Sequence, residues 1–258
     1  MKIGWLNKFD NAALTVGSEI STLPVTNLQH VHLSKKWRTA TGVKSSYFVA
    51  DMGASIDIDV VALLGTNLTP AATILIRASD ANPSGVPGEL LDTGVVGANV
   101  ITNYPAVYYE LSATITARYW RIDIADASVV DNLHLGRCFM GPLWQPGNNR
   151  LWGWSNIWAD PSSVTESKGG QEYVDQGPRR RVLQFALSFM TEAEGYDNPF
   201  EIARENGAAK EILVLFESSA GNTNKKNILG KIKRAEGLSL TQAEAKIFRN
   251  RYFIQETL

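Results

Sequence analysis

Apolar and polar side chains alternate over short runs in the first 143 residues, and Gly, Pro, Asn, Asp and Ser separate the runs. A period of two puts alternate side chains on opposite faces of an extended chain, so each run predicts a half-buried β-strand. In ARYWRIDIAD, the side chains of Trp120, Ile122 and Ile124 share one face, and charged residues occupy the other. Further strands are predicted at SYFVADM, DIDVVALLGT, ATILIRASD, AVYYELS and HLGRCFMG. Short strands at this spacing predict a sandwich or barrel.

The pattern changes after GPLWQPGNN, residues 141–149, whose prolines, glycines and asparagines predict a domain boundary. RRRVLQFALSFMT is predicted to be a long strand, with Phe189 on the same face as Leu187. NPFEIARENG predicts a short helix that Asn198 caps and Gly207 ends. Strands at KEILVLFES, ILGKIKRAEGLSL and KIFRNRYFIQET complete an α+β region, whereas SSVTESKGGQ and GNTNKKN are predicted to be loops.

Length and composition narrow the class of protein. The 258 residues suffice for two domains, predicted at 1–143 and 150–258. The single cysteine, Cys138, excludes a disulfide within the chain and fits a reducing compartment. With 25 basic and 26 acidic residues, the chain has no charge excess for nucleic acid. We expect no secretory signal in MKIGWLNKFD, and no apolar run is long enough to predict membrane insertion.

Candidate catalytic and metal-binding residues are few. Two histidines share a strand face at a spacing that a metal site uses, but no cysteine or carboxylate accompanies them at ligand spacing. Two pairs of aspartates could be an acid and a base, although such pairs in β proteins more often form turns or a solvated face. We therefore predict no catalytic residue, no metal and no cofactor. The residues considered are His30, His32 and the pairs Asp57/Asp59 and Asp123/Asp126.

Two clusters in the second half are candidate interfaces. Three tryptophans of LWGWSNIW share one face of an extended strand; they form a ligand platform or protein interface if exposed, or else cover the core or an interdomain seam. Three consecutive arginines meet an acidic neighbouring subunit or lie in solvent. The residues are Trp152, Trp154, Trp158, Arg179, Arg180 and Arg181.

Five motifs in order make residues 30–143 resemble the discoidin, or galactose-binding-like, family: KKWRTATGVKSSYFVADMGA, DIDVVALLGTN, ILIRASDANPSG, ARYWRIDIAD and LHLGRCFMG. The resemblance implies a jelly-roll β-sandwich in which Arg121 and Asp123 lie outward or bridge neighbouring strands. It also implies ligand loops at one end of the sandwich. Their candidate residues are Lys35, Lys36, Arg38, Asn82, Asp126 and Asn132.

The N-terminal segment that ends in LPVTNLQ resembles tailed-phage structural proteins, and the second half is similar in layout to the tail-tube and distal-tail fold. The resemblance implies a smaller α+β sandwich with one helix. It further implies a non-enzymatic tail-tip or baseplate subunit, assembled in the host cytoplasm. Such a subunit would form a ring, most readily a hexamer, that contacts other tail proteins and a host-surface glycan. A soluble carbohydrate-binding protein is the alternative, and a glycan-cleaving enzyme is a third hypothesis.

Overall fold

The computed structural model describes residues 1–149, 153–216, 223–242 and 246–257. The protein is mainly β, with 51% of residues in strands and 11% in helices, which confirms the predicted class. No helix in those four ranges is long and apolar enough to cross a bilayer.

The chain divides into two compact units. The first contains Met1–Gln145 and the described residues of Leu213–Ile228. The second contains Pro146–Ile212 and the described residues of Leu229–Thr257. That 1–143 and 150–258 are separate domains stays a prediction.

The chain starts with ten strands and two 3₁₀ turns, at Lys8–Asn11 and Val25–Gln29. The strands are β1 (Lys2–Gly4), β2 (Ala13–Val16), β3 (Trp37–Arg38), β4 (Ser45–Leu64), β5 (Thr73–Ser79), β6 (Leu91–Asp92), β7 (Val96–Gly97), β8 (Ala106–Ala125), β9 (His134–Leu135) and β10 (Arg137–Gly141). The elements that follow are β11 (Ser155–Ala159), β12 (Ser163–Glu166), β13 (Glu172–Asp175), β14 (Arg180–Met190), α1 (Glu192–Gly195), a π-helical turn (Tyr196–Phe200), α2 (Glu201–Glu205), β15 (Glu211–Leu215), α3 (Thr223–Lys226), β16 (Ile228–Gln242) and β17 (Ile247–Glu256).

Two long strands, β4 and β8, build both layers of the first unit. Each has 20 residues, and they pair antiparallel from Ser45↔Ala125 to Leu64↔Ala106. Their register shifts after Asp51, where Gly53 has a φ of +77° that favours glycine. Each long strand merges two of the predicted strands, because the chain bends at this irregularity without leaving the sheet.

The curled sheet encloses a single apolar core. Its strand order is β10-β4-β8-β5-β6, with β2 on β4 and β7 on β5. The first half of β4 pairs with β2 and the second half with β10, so the two halves belong to different layers. Trp120, Ile122 and Ile124 are fully buried in the core together with Phe48 and Val61, which confirms the face predicted for ARYWRIDIAD.

The opposite face of ARYWRIDIAD bridges neighbouring strands, as predicted. The carboxylate of Asp123 accepts hydrogen bonds from Arg77 on β5, at 2.7 Å, and from Arg121 on its own strand. The guanidinium carbon of Arg121 lies 3.6 Å from the centre of the Tyr47 ring on β4. Burial acts to raise the pKa of Asp123, but the hydrogen bonds from Arg121 and Arg77 outweigh burial and lower it. The ion pair of Arg77 with Asp123 therefore joins β5 to β8, and the contact of Arg121 with the Tyr47 ring adds β4, all on the outside of the sheet.

In the second unit, β17 lies between β14 and β16, and β11 pairs with the other edge of β14. The helical segment begins at Glu192 rather than near Asn198, because the side chain of Thr191 accepts a hydrogen bond from the Glu194 backbone and caps α1. The segment ends near Gly207, as predicted, with a φ of +48°.

Three other predictions for the second half differ from the structure in whole or in part. Phe189 does not share the face of Leu187: its φ is +60°, the β14–β17 register shifts there, and its side chain is 59% exposed while Met190 is buried. The predicted loop SSVTESKGGQ is a loop only in part, because Ser163–Glu166 form β12 and residues 167–171 connect β12 to β13. In GNTNKKN, four of the described residues form the one-turn helix α3.

Candidate functional site

Strand pairing decides which of the candidate loops meet. Strands β4, β8 and β5 are adjacent. At one end of the first layer they align Ser45, Ala125 and Thr73, and further along they align Asp51, Tyr119 and Ser79. The loop after Ala125 therefore leaves from one end, whereas the loop after Ser79 leaves from the other. We call the former the loop end, formed by residues 35–44, 65–72 and 126–134. The structure brings Lys35, Lys36, Arg38, Asp126 and Asn132 to the loop end and places Asn82 at the opposite end.

The short two-stranded sheet of β3 and β9, with two residues in each strand, presents the side chains of the loop end. Trp37 pairs with Leu135, and Arg38 pairs with His134. Trp37 and Leu135 point into the core and are fully buried, and the Trp37 ring packs edge-on against Phe48 at 5.9 Å. Because alternate residues face opposite ways, Arg38 and His134 point away from the core as cross-strand neighbours.

Lys36 completes this outward surface. It lies two residues before Arg38, and its positive charge acts on His134 together with that of Arg38. We call Lys36, Arg38 and His134 the cationic patch. Of its three members, sequence reasoning identified only the lysine and the arginine, because no motif connects His134 to a strand so distant in the chain.

Neighbouring polar groups hold the patch in place. Asp131 accepts a hydrogen bond from Nη2 of Arg38 at 3.3 Å and another from the Gly42 backbone at 3.1 Å. The backbone N–H of His134 donates to Oδ1 of Asn67 at 2.9 Å, and Nδ2 of Asn67 donates to the Asn132 carbonyl at 2.6 Å. The Arg38 guanidinium and the His134 backbone are thus held in place before any ligand arrives, which lowers the entropic cost of binding.

The electrostatics of the patch leave its imidazole neutral. Burial, followed by the charges of Lys36 and Arg38, lowers the pKa of His134 to about 4. Burial also lowers the pKa of Lys36. Near pH 7 the His134 ring therefore offers one donor and one acceptor. Within the described part of the chain, neither this ring nor the Lys36 ammonium has a hydrogen-bond partner, so both are available to a ligand.

The other candidate ligand residues serve mainly to hold their loops. Asp126 is buried and accepts hydrogen bonds from the backbone N–H groups of Thr69, at 2.6 Å, and Ser128, at 2.9 Å. Asn132 is buried, and Lys35 is exposed. At the opposite end, the side chain of Asn82 bonds to Ser84 and Val86 within its own loop.

The remaining candidate chemistry is engaged in the fold. Asp57 accepts from the Thr116 hydroxyl, and Asp59 accepts from Thr114 and from the Leu143 backbone. The rings of the two neighbouring histidines, at positions 30 and 32, lie 5.1 Å apart. Among the described residues, no three of His, Cys, Asp or Glu form a group that could hold a metal ion. Complete burial raises the pKa of the Cys138 thiol, which therefore stays protonated.

The candidate interface residues lie in the second unit. Trp152 is outside the described residues, while Trp154 is 38% and Trp158 is 52% exposed. Arg179 pairs with Asp160 at 2.8 Å, and Arg181 is buried and pairs with Glu256 at 3.0 Å. Arg180, at the start of β14, is half-buried.

An exposed arm extends from this region. Strands β12 and β13 pair only with each other among the described strands, and they lie between the paired strands β11 and β14 in the chain. All eight residues of the two strands are exposed, including Val164, Tyr173 and Val174 at 58–62%. An isolated two-stranded hairpin with no packed face is marginally stable in water, so this arm lacks the contacts that would stabilise it.

Comparison with known proteins found similarities of structure only. No protein-family model and no curated protein matches the chain. A fucosidase from Ruminococcus gnavus, solved with fucose, is similar at a TM-score of 0.44 and 14% identity over 54% of this chain, which corresponds to 27% of the fucosidase. A chitosan-binding module of a chitosanase/glucanase from Paenibacillus sp. is similar at a TM-score of 0.40 and 16% identity, over 53% of this chain and 99% of the module. A fucose-binding module from Streptococcus pneumoniae is similar at a TM-score of 0.40 and 14% identity, over 54% of this chain and 96% of the module. These figures assign no ligand and no activity to the protein.

Proposed function

We propose that the protein is a carbohydrate-binding protein whose cationic patch binds an acidic saccharide. The carrying observation is the β3–β9 pair, which turns Arg38 and His134 outward as neighbours, with Lys36 beside them. Arginine matches a carboxylate or sulfate with two parallel hydrogen bonds, and the neutral imidazole matches a sugar hydroxyl as donor or acceptor.

Among the four residues of the β3–β9 pair, no indole or phenyl ring faces outward, and this favours recognition by charge. Trp37, the aromatic residue of β3, is fully buried against Phe48 and offers no face to a sugar. Binding a neutral sugar usually combines an aromatic surface with a few polar groups. Here two of the three polar groups, Lys36 and Arg38, are cationic, so a uronic acid or sulfated saccharide gains charge-assisted hydrogen bonds that a neutral sugar lacks.

We expect Arg38→Ala to weaken binding of an acidic glycan at least tenfold, because a hydrogen bond to a charged group contributes about 1.5–3 kcal/mol. The purified chain is first screened on an array of acidic and neutral glycans. The best acidic glycan is then titrated by calorimetry against the wild type, Arg38→Ala and His134→Ala. A neutral analogue of the same sugar, such as its methyl ester, is expected to bind more weakly to the wild type.

Arg118→Ala is the matched control. Arg118 pairs with Asp51 as Arg38 pairs with Asp131, and the two arginine side chains are equally exposed, at 39%. Arg118 lies towards the opposite end of the sheet, so its loss is expected to leave binding unchanged. Equal weakening by both variants, or no preference for acidic glycans, would count against the proposed site.

The exposed arm favours a second function, assembly into a homo-oligomer. We propose that a second copy of the chain covers β12–β13, because the arm exposes apolar residues on both of its strands. The resemblance to distal-tail proteins gives this assembly a specific form, a ring in a phage tail that carries the carbohydrate-binding unit. In this form the protein resides in the virion and contacts other tail proteins.

Val174→Lys is expected to dissociate such an oligomer, because it puts a charge on the exposed arm without touching the core. The oligomeric masses of the wild type and of Val174→Lys are measured by light scattering at micromolar concentration. Val95→Lys is the control, since Val95 is 71% exposed and lies in the first unit. A monomeric wild type, or an oligomer that Val174→Lys leaves intact, contradicts assembly through the arm and leaves the glycan-binding test unaffected.

A further inference from the structure

The second unit contains a cavity of about 440 Å³. It lies between the helical segment and the strands β16 and β17, with Pro199 and Ala203 on one side and Ile232 and Leu238 on the other. Tyr196 and Phe200, each about half-exposed, also line it. Pockets that bind small molecules usually have volumes of about 300–1,000 Å³, so the cavity is large enough for a ligand.

Two buried polar side chains line this apolar cavity. Asn250 and Tyr252 lie on β17 between Phe248 and Ile254, and alternation puts all four on the buried face of the strand. Asn250 is 4% and Tyr252 is 1% exposed. The four β14 and β16 positions opposite Tyr252 and Ile254 are apolar, as is Leu187 opposite Asn250 on β14, so none of these strand partners offers a side-chain polar group to Asn250 or Tyr252.

Neither polar group has a partner within the described residues. The hydroxyl of Tyr252 and Oδ1 of Asn250 are both inaccessible to solvent and make no hydrogen bond. Buried polar atoms in folded proteins nearly always have a partner, and leaving one without a partner costs stability. Burial raises the pKa of Tyr252, so its hydroxyl keeps its proton and remains a donor.

We propose that this cavity binds a small neutral alcohol or phenol with an apolar body. The apolar body fills the space between Pro199 and Ile232. Binding shifts the side chains that close off these two atoms, so that the ligand hydroxyl accepts a hydrogen bond from the Tyr252 hydroxyl and donates one to the Asn250 amide oxygen. A single ligand hydroxyl can bond to both the Tyr252 hydroxyl and the Asn250 amide oxygen, because it is both a donor and an acceptor. A charged ligand is disfavoured because the cavity wall is mostly apolar and its cations, Lys233 and Arg234, are exposed to solvent.

The test uses 2-naphthol as the probe and 2-methylnaphthalene as its control, since the two differ in one hydroxyl and have similar size. Fluorescence titration of the full chain is expected to show at least tenfold tighter binding of 2-naphthol. Tyr252→Phe is expected to weaken binding of 2-naphthol while leaving binding of 2-methylnaphthalene unchanged; a smaller preference for 2-naphthol remains, because the Asn250 amide oxygen still accepts a hydrogen bond from the ligand. Ala203→Trp, at an exposed helix position beside the cavity, is expected to weaken both probes at least tenfold.

Thermal unfolding separates a ligand-binding role from a structural one. Without ligand, Tyr252→Phe is expected to leave the melting temperature unchanged or raise it, because it removes a buried hydroxyl that has no partner. Tyr173→Phe, on the exposed arm, is the matched control and leaves probe binding unchanged. Equal affinity for the two probes, no binding of 2-naphthol, or a lower melting temperature for Tyr252→Phe overturns the proposal. The cavity then holds water, or the hydroxyl supports the fold.

Discussion

Trp37→Ala is expected to lower the free energy of unfolding of the first unit by about 4 kcal/mol, because truncating a fully buried tryptophan leaves a large cavity. The Trp37 ring is fully buried, packs edge-on against Phe48, and donates a hydrogen bond from Nε1 to the Ser18 carbonyl at 3.1 Å. The loss of this anchor also frees β3, so Arg38 is no longer held opposite His134. Glycan binding is therefore expected to fall with stability.

Urea unfolding followed by circular dichroism measures the change. Trp158→Ala is the control, since Trp158 is half-exposed and lies in the second unit. Its substitution is expected to cost less than about 1 kcal/mol, as for most surface positions. If Trp37→Ala lowers the free energy of unfolding by less than about 1 kcal/mol as well, burial of Trp37 does not anchor β3 and the loop end to the core.

Asp10→Ala is expected to destabilise the first unit by about 3 kcal/mol, because it leaves the buried charge of Arg137 without its carboxylate. The Arg137 side chain is 2% exposed, and its two terminal nitrogens contact the two Asp10 oxygens at 2.5 and 2.9 Å. The value lies at the lower limit for a broken buried pair, since Asp10 itself reaches solvent. Arg137 begins β10, two residues after β9, so this pair also supports the strand that carries His134.

Asp10→Asn separates charge from shape. The amide keeps one acceptor oxygen and the size of the side chain, so a smaller loss than for Asp10→Ala is expected. Asp160→Ala is the control, because it removes the partner of the exposed Arg179 and is expected to leave stability unchanged. If Asp10→Ala behaves like Asp160→Ala in urea unfolding, solvent compensates Arg137 and the buried pair is not a stabilising element.

The sequence and the structure favour different functions for different parts of the chain. Resemblance suggested a phage tail subunit as the main interpretation, with carbohydrate binding as the alternative. The cationic patch gives carbohydrate binding a site with named groups, which the tail interpretation lacks. The exposed arm keeps assembly as a separate proposal. The two are compatible, because they depend on different units of the protein.

The sequence by itself determined the class of fold and much of the core. Period-two alternation is a local property of the chain, so the burial of Trp120, Ile122 and Ile124 followed from ARYWRIDIAD alone. Local patterns failed where one residue broke the register. Phe189 continues the alternation in sequence, but its left-handed backbone turns it to solvent, and the capping role of Thr191 moves the helix start away from Asn198.

Only the tertiary structure decided which distant residues share a site. The antiparallel pairing of β4 with β8 sends the Asn82 loop to one end of the sheet and Asp126 to the other, and the β3–β9 pair sets Arg38 against His134. In the second unit, an asparagine at a buried position of an alternating strand was a local signal. That its amide and the Tyr252 hydroxyl lack partners depends on every element packed around them. Alternation fixes the face of a side chain, whereas sheet register and loop closure fix its neighbours, and those depend on contacts between residues far apart in the chain.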